Sequence, residues 1–234
     1  MRLNRFIGNF DLDAERVTLR DLDVVHQLAR VLHLQVGERV VLCDGAGYEA
    51  EGEISSFGKD EVQIALGKKY KNENEPLRRV TLYMAVLKHE NFEFAAEKAT
   101  EAGAAKIVPV LSARTVKTGM NTERVRKIIK EAAEQSGRGI VPQLSEPMMF
   151  ADALQNAAGN DGNLFFHTDG GTAFEKEPET ISKRKTGIFI GPEGGWSDEE
   201  AEQTKAAGFR IVSLGPLTLR AETAAIIATY LAAR

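Results

Sequence analysis

The chain is poor in several things, and each shortage removes a class of protein. It holds one cysteine, Cys43, so no internal disulfide can form, and no Cys/His cluster has the spacing of a structural zinc site. No apolar run approaches the ~20 residues of a membrane span. Met1-Arg2-Leu3-Asn4-Arg5 leads into no signal-peptide hydrophobic stretch. A cytoplasmic, membrane-free protein is the expectation. Charge of one sign is also missing, because 30 Lys+Arg stand against 34 Asp+Glu, a net charge of -4 on 234 residues that are 43% hydrophobic. That mixture is enough for a folded core and argues against disorder, while its slight acidity argues at first against a nucleic-acid partner.

The distribution of charge changes that inference. Residues 1–75 carry 10 basic and 14 acidic side chains, and the remainder carries 20 of each. Between residues 112 and 138, Arg114, Lys117, Arg124, Arg126, Lys127, Lys130 and Arg138 stand against only Glu123, Glu131 and Glu134. Such a segment is either a footprint for a polyanion or a solvated helix face laced with Glu/Lys pairs.

Hydrophobic patterning divides the chain in two. Short β-type runs at 38–43, 50–56 and 61–66, separated by Asp44-Gly45-Ala46-Gly47 and Phe57-Gly58-Lys59-Asp60, predict a small antiparallel barrel. The polar stretch from Gly67 to Pro76 reads as a linker. Beyond it, strand and helix alternate. Strands are predicted at 80–87, 106–111, 164–166, 187–190 and 210–214, and helices at 92–103, 121–136, 150–158, 198–207 and 221–233. This alternation predicts a mostly parallel sheet covered by helices.

Three stretches could carry chemistry. Gly191-Pro192-Glu193-Gly194-Gly195 follows the strand run Gly187-Ile188-Phe189-Ile190 and precedes Ser197-Asp198-Glu199-Glu200, a capping box. A glycine loop at the carboxyl end of a parallel strand lets backbone N–H groups approach a ligand, although the same glycines could simply form a tight turn. Leu214-Gly215-Pro216-Leu217-Thr218-Leu219-Arg220-Ala221-Glu222-Thr223-Ala224 also joins a strand to a helix, so the two loops converge if their strands are neighbours. The helix over 121–136 buries Val125, Ile128, Ile129, Ala132 and Ala133 and gathers Arg124, Lys127, Glu131 and Glu134 on another stripe, which Arg138 extends. Among the histidines, His26, His33 and His89 show no metal spacing, while His167 stands at the end of a predicted core strand.

Taken in order, these stretches resemble the small-subunit ribosomal RNA methyltransferase E family of the SPOUT class. The resemblance rests on Lys88 with Glu93 to Gly103 and Pro109, on Glu131-Ala132-Ala133-Glu134-Gln135-Ser136-Gly137-Arg138 with Pro142, on Ile190 to Ser197, and on Leu214-Gly215 with Leu219 to Ala224. A weaker match covers Arg5-Phe6 and His26 to Leu32. The sequence departs from the pattern at Leu217-Thr218, His33 and Ala102.

The resemblance implies a PUA-like β-barrel over 1–70 that assists RNA binding, a linker over 71–79, and an α/β domain with a deep trefoil knot over 80–234. It implies a homodimer that methylates N3 of a uridine in small-subunit (16S) ribosomal RNA, free or in the assembled 30S subunit, with S-adenosylmethionine as cofactor and no metal. Carried over by position, the cofactor meets Phe166, His167, Ile190, Gly191, Gly195, Leu214, Gly215, Leu219, Arg220, Thr223 and Ala224, and backbone groups read the adenine. Methyl transfer to N3 requires loss of the N3 proton, so Arg220 and Arg138 are candidates for stabilising the anion, and Glu134 or Glu222 for taking the proton. The unpaired uridine's phosphates would be gripped by Arg114, Lys117, Arg124, Lys127 and Arg138. The alternative is a noncatalytic RNA-binding or ribosome-assembly factor, which needs the basic helix but no cofactor cavity.

Overall fold

A computed structural model describes residues 3–88, 90–115, 119–168, 171–174 and 184–234. Contacts divide the chain into two units, Met1–Glu75 with Ala133–Val141, and Pro76–Ala132 with Pro142–Arg234.

The N-terminal unit is a six-stranded sheet. Its strands are β1 (Asn4–Ile7), β2 (Arg16–Leu19), β3 (Arg39–Cys43), β4 (Tyr48–Phe57), β5 (Val62–Leu66) and β6 (Tyr70–Lys71), in the order β1-β3-β4-β5-β2 with β6 on β4. The Asp44 carboxylate accepts the N–H groups of Ala46 (2.8 Å) and Tyr48 (3.0 Å), which closes the β3–β4 hairpin. Every second residue of these strands then points into a core of Phe6, Leu28, Leu42, Ile54 and Ile64, all fully buried. A short helix α1 (Leu22–His26), capped by Asp21, runs into a π-helical turn over Gln27–Val31.

Two features differ from expectation. β1 pairs with β3 in parallel, so the sheet is mixed rather than antiparallel throughout. The stretch expected as a linker supplies β6, whose Tyr70 and Lys71 pair with Glu49 and Tyr48, and Asn72 behind it is buried. Polar composition suggested an untethered segment, but Lys69, Asn72, Asn74 and Glu75 are each bonded within the unit, to Asp13, Glu49, Gly137 and Arg138.

The C-terminal unit is an eight-stranded parallel sheet. Its strands are β7 (Arg79–Ala85), β8 (Ala104–Leu111), β9 (Gln143–Leu144), β10 (Met148–Met149), β11 (Gly162–Phe166), β12 (Thr172–Ala173), β13 (Lys185–Ile190) and β14 (Arg210–Ser213). They run in the order β10-β8-β7-β13-β11-β14-β12, with β9 on β8. The intervening helices are α2 (Glu90–Ala102), α3 (Thr122–Ser136), α4 (Phe150–Ala157), α5 (Asp198–Ala206) and α6 (Ala221–Ala233). The central strands are continuous apolar runs because helices cover both faces. Tyr83 stacks on Phe189 at 4.3 Å, and Phe165 stacks on Trp196 at 4.9 Å. The order places β11 between β13 and β14, so the carboxyl ends of these three strands stand side by side. α3 belongs to both units, with Ala133 and the residues after it grouped with the N-terminal sheet.

Candidate active site

A cavity of about 620 Å³ opens at the carboxyl ends of β11, β13 and β14. Its wall is the end of β11 at Phe166 and His167, the loop after β13 from Ile190 to Trp196, and the segment from Ser213 into the first turn of α6, with Asn91 of α2 on another side. The size lies within the usual range for small-molecule sites.

Local chemistry explains each wall. Gly195 has φ 71° and its N–H donates to the Pro192 carbonyl at 2.8 Å, a tight turn that a side-chain-bearing residue would strain. Gly215 has φ 111°, and a Cβ built there would meet nothing within 4 Å, so the backbone itself borders open space. Ser197 and Glu200 complete a capping box that ends the glycine loop and starts α5. α6 is different. Arg220 is its N-cap in an extended conformation and its side chain makes no capping hydrogen bond, so the positive end of a 13-residue helix stands beside the cavity.

Two further groups face the same space. Arg220 extends its side chain into solvent (85% exposed) and its guanidinium lies 4.0 Å from the Glu222 carboxylate, which is largely buried. Trp196 forms part of the wall, with its indole packed against Gly191 and its N–H buried with no hydrogen-bond partner among the described residues. Glycine loops, a helix N-terminus and an aromatic wall together suit a nucleoside with a charged amino-acid tail.

The cavity brings together Phe166, His167, Ile190, Gly191, Gly195, Leu214, Gly215, Leu219, Arg220 and Ala224, and also Glu222. Thr223 does not line it. Asn91, Thr168 and Ser213 do, and none stood out in the sequence. Thr168 and Ser213 flank strand ends that were legible, whereas Asn91 comes from a helix 75 residues away from Phe166 and carries no local signal.

Glu134 and Arg138, expected to act in catalysis, have other work. They belong to the tail grouped with the N-terminal unit and do not line the cavity. Glu134 accepts the backbone N–H of Ile7 at 2.7 Å. Arg138 is 5% exposed and donates to Glu75 at 2.8 Å, while the other Glu75 oxygen accepts the N–H groups of Gly139 and Ile140 at 3.0 Å each. Asn72 and Asn74 both donate to the Gly137 carbonyl, at 3.1 and 2.9 Å. Asn72 also donates to Glu49, which pairs with Arg5 against Cys43, and burial pushes the Cys43 thiol up to about 12.

Expected RNA-binding cations among the described residues have partners as well. Arg124 pairs with Glu93 at 2.9 Å, and its neighbour Arg126, outside the expected set, with Glu123 and Glu146 at 2.7 and 2.5 Å. Lys127 has a partner, and Arg114 donates to the Gly194 carbonyl at 2.7 Å. Lys117 and His89 lie outside the described residues. Arg124 and Arg126 thus carry ion pairs on an exposed part of this segment.

Comparison with known proteins agrees with the geometry. Residues 73–233 match the RNA methyltransferase domain family and residues 19–66 the RNA methyltransferase PUA domain family. The ribosomal RNA small subunit methyltransferase E of Bacillus subtilis is 31% identical, covering 87% of this chain and 84% of the relative. That of Rickettsia conorii is 30% identical, covering 97% and 94%. Among solved structures, the ribosomal RNA small subunit methyltransferase E of Neisseria gonorrhoeae bound to S-adenosylmethionine superposes with a TM-score of 0.89 at 27% identity, covering 97% of this chain and 95% of that one. A Legionella pneumophila protein solved with bound S-adenosylmethionine gives 0.90 at 28% identity, covering 99% and 97%. The C-terminal unit thus has the α/β fold of the SPOUT methyltransferases and is accompanied by a PUA domain. The chain belongs to the ribosomal RNA small subunit methyltransferase E family.

Proposed function

We propose that this protein transfers the methyl group of S-adenosylmethionine to N3 of a specific uridine in small-subunit ribosomal RNA. The observation that carries the reading is the cavity at the ends of β11, β13 and β14, where glycine loops and a helix N-terminus meet on a fold shared with relatives solved with that cofactor. The cofactor supplies an activated methyl group on a sulfonium.

The chain's own residues do the rest. The loops from Ile190 to Gly195 and from Leu214 to Ala224 hold the adenosine through backbone groups, and the α6 end favours a carboxylate. In-line transfer needs the two reactants aligned within a fraction of an ångström, which rigid loops on strand ends supply. Arg220 stabilises the anionic uracil that forms as N3 loses its proton, and Glu222 accepts or relays that proton. Water is excluded on one side by Phe166 and Trp196. No step calls for a metal.

Glu134 and Arg138 hold the 133–141 tail in place and are not read as the acid–base pair. The N-terminal unit is the accessory RNA-binding module, and the C-terminal unit is read as knotted, homodimeric and cytoplasmic, the partner being ribosomal RNA or the assembled small subunit. N3 lies on the Watson–Crick edge, so the uridine must be unpaired or flipped. The test compares nucleoside masses and primer-extension stops in small-subunit RNA from cells with and without the protein. Loss of N3-methyluridine at one position on deletion, restored by the gene, is expected; an unchanged amount contradicts the reading.

A further inference from the structure

We propose that Arg114, on a turn whose Ala113 N–H is held by the buried carboxylate of Glu200, is a positioning residue that sets the Gly191–Gly195 loop to receive the cofactor. This rests on the reading of the cavity as a cofactor site. The Arg114 guanidinium donates through Nη1 to the carbonyl of Gly194 at 2.7 Å, across 80 residues of sequence. Its stem lies along the loop, since a Cβ built on Gly194 would come within 3.6 Å of Arg114 Cδ and one built on Gly195 within 3.9 Å of Nη1.

The turn that carries Arg114 is itself fixed. Ser112 and Thr115 close it, with the Ser112 N–H donating to Thr115 Oγ1 at 2.9 Å and the Thr115 N–H donating to the Ser112 carbonyl at 3.1 Å. Ala113 donates its N–H to Glu200 Oε1 at 2.9 Å. The other oxygen of Glu200 accepts the Ser197 N–H at 2.8 Å, at the point where the glycine loop enters α5. Glu200 is 5% exposed. A closed circuit results, running from Gly194 through Ser197, Glu200 and Ala113 to Arg114 and back to Gly194, and all of it lies in the C-terminal unit.

The circuit has a physical purpose. Two adjacent glycines are the most mobile backbone a chain can present, and ordering them on binding subtracts from affinity. A charge-assisted hydrogen bond to the carbonyl between them does that ordering beforehand. Arg114 therefore acts on the cofactor through the loop, which is a different role from gripping an RNA phosphate.

The two roles separate by experiment. S-adenosylmethionine is titrated, without RNA, into wild-type protein and into Arg114→Ala, Arg114→Lys and Glu200→Gln, reading the fluorescence of the single tryptophan, Trp196; hydrogen exchange over the 191–195 loop is measured on the same proteins without ligand. Arg114→Ala is expected to weaken cofactor binding about tenfold, the scale of one charged hydrogen bond, and to speed exchange in the loop. Arg114→Lys keeps a cation for RNA but lacks the planar group that lies along the glycines, so it is expected to behave as alanine does. Glu200→Gln has one acceptor where two are needed and is expected to weaken binding by a smaller factor, and the Arg114→Ala/Glu200→Gln double variant, titrated alongside, is expected to show less than the sum of the two effects. Cofactor affinity and loop exchange unchanged within twofold in folded Arg114→Ala, with RNA affinity reduced, would overturn the proposal in favour of a direct RNA contact. Failure of the wild type to bind the cofactor would instead overturn the reading of the cavity, while faster loop exchange in the variant would still uphold the clamp.

Discussion

The two polar motifs of this chain, residues 190–224 and residues 131–138, look alike as strings of glycine, carboxylate and arginine, yet they are in opposite physical states. In the first, donors are left available: a helix N-terminus whose N-cap side chain makes no capping hydrogen bond, and an arginine extended into solvent beside a cavity. In the second, Glu134, Arg138 and the Gly137 carbonyl are already satisfied by Ile7, Glu75, Asn72 and Asn74. Unspent hydrogen-bonding capacity around an opening marks a ligand site, whereas spent capacity in a buried network marks a structural joint.

The comparison can be broken most severely at Gly215. Its φ of 111° is one that valine cannot adopt without strain, and the new side chain would enter the cavity. Gly215→Val is expected to weaken S-adenosylmethionine about a hundredfold, on the order of 3 kcal/mol, in a fluorescence titration. Arg220→Ala removes a group that faces the cavity without being buried, so kcat for RNA methylation is expected to fall at least about tenfold with the melting temperature nearly unchanged. Arg138→Ala should do the converse. Removing one partner of a largely buried pair costs about 3 kcal/mol of stability, read by denaturant unfolding, while the kcat of the folded fraction stays within about threefold of wild type.

Titration sharpens the same contrast. Cys43 has its ordinary value of 9.0 raised to about 12 chiefly by burial. The unfolded chain loses that proton near 9 and the folded chain only near 12, so this thiol favours folding below pH 9 and its contribution is lost as the pH climbs through 12. An alkylating reagent at pH 8 should accordingly leave native Cys43 unmodified and label it only on unfolding, as mass spectrometry would show. The smallest effect is expected at Arg126. Already paired with Glu123 and Glu146 on an exposed face, it should change RNA affinity by less than about twofold when replaced by alanine.

Much of the C-terminal unit was legible in the sequence because buried parallel strands are uninterrupted apolar runs. The edges of β13, β14 and α6 fall within two residues of where their patterns place them, and the glycine loops between them follow from strand ends and a capping box. The four-residue strands β1 and β2 were not legible, since Asn-Arg-Phe-Ile and Arg-Val-Thr-Leu are too short to show a period. Nor was the parallel pairing of β1 with β3, which depends on a partner more than thirty residues away. The polar face of α3 was visible as a stripe, but the stripe does not reveal that Glu134 meets the Ile7 backbone across 127 residues. Asn91 escaped for the same reason, as a cavity residue supplied by a distant helix. Local pattern reports what an element is, and only the fold reports which of its polar groups remain unspent.

The most direct test is a calorimetric titration of S-adenosylmethionine into three proteins: wild type, Gly215→Val and Arg138→Ala. The account predicts saturable binding at one site per chain in wild type and in folded Arg138→Ala, with a matching affinity, and binding at least about a hundredfold weaker in Gly215→Val. Loss of binding in folded Arg138→Ala, with full affinity in Gly215→Val, would contradict it.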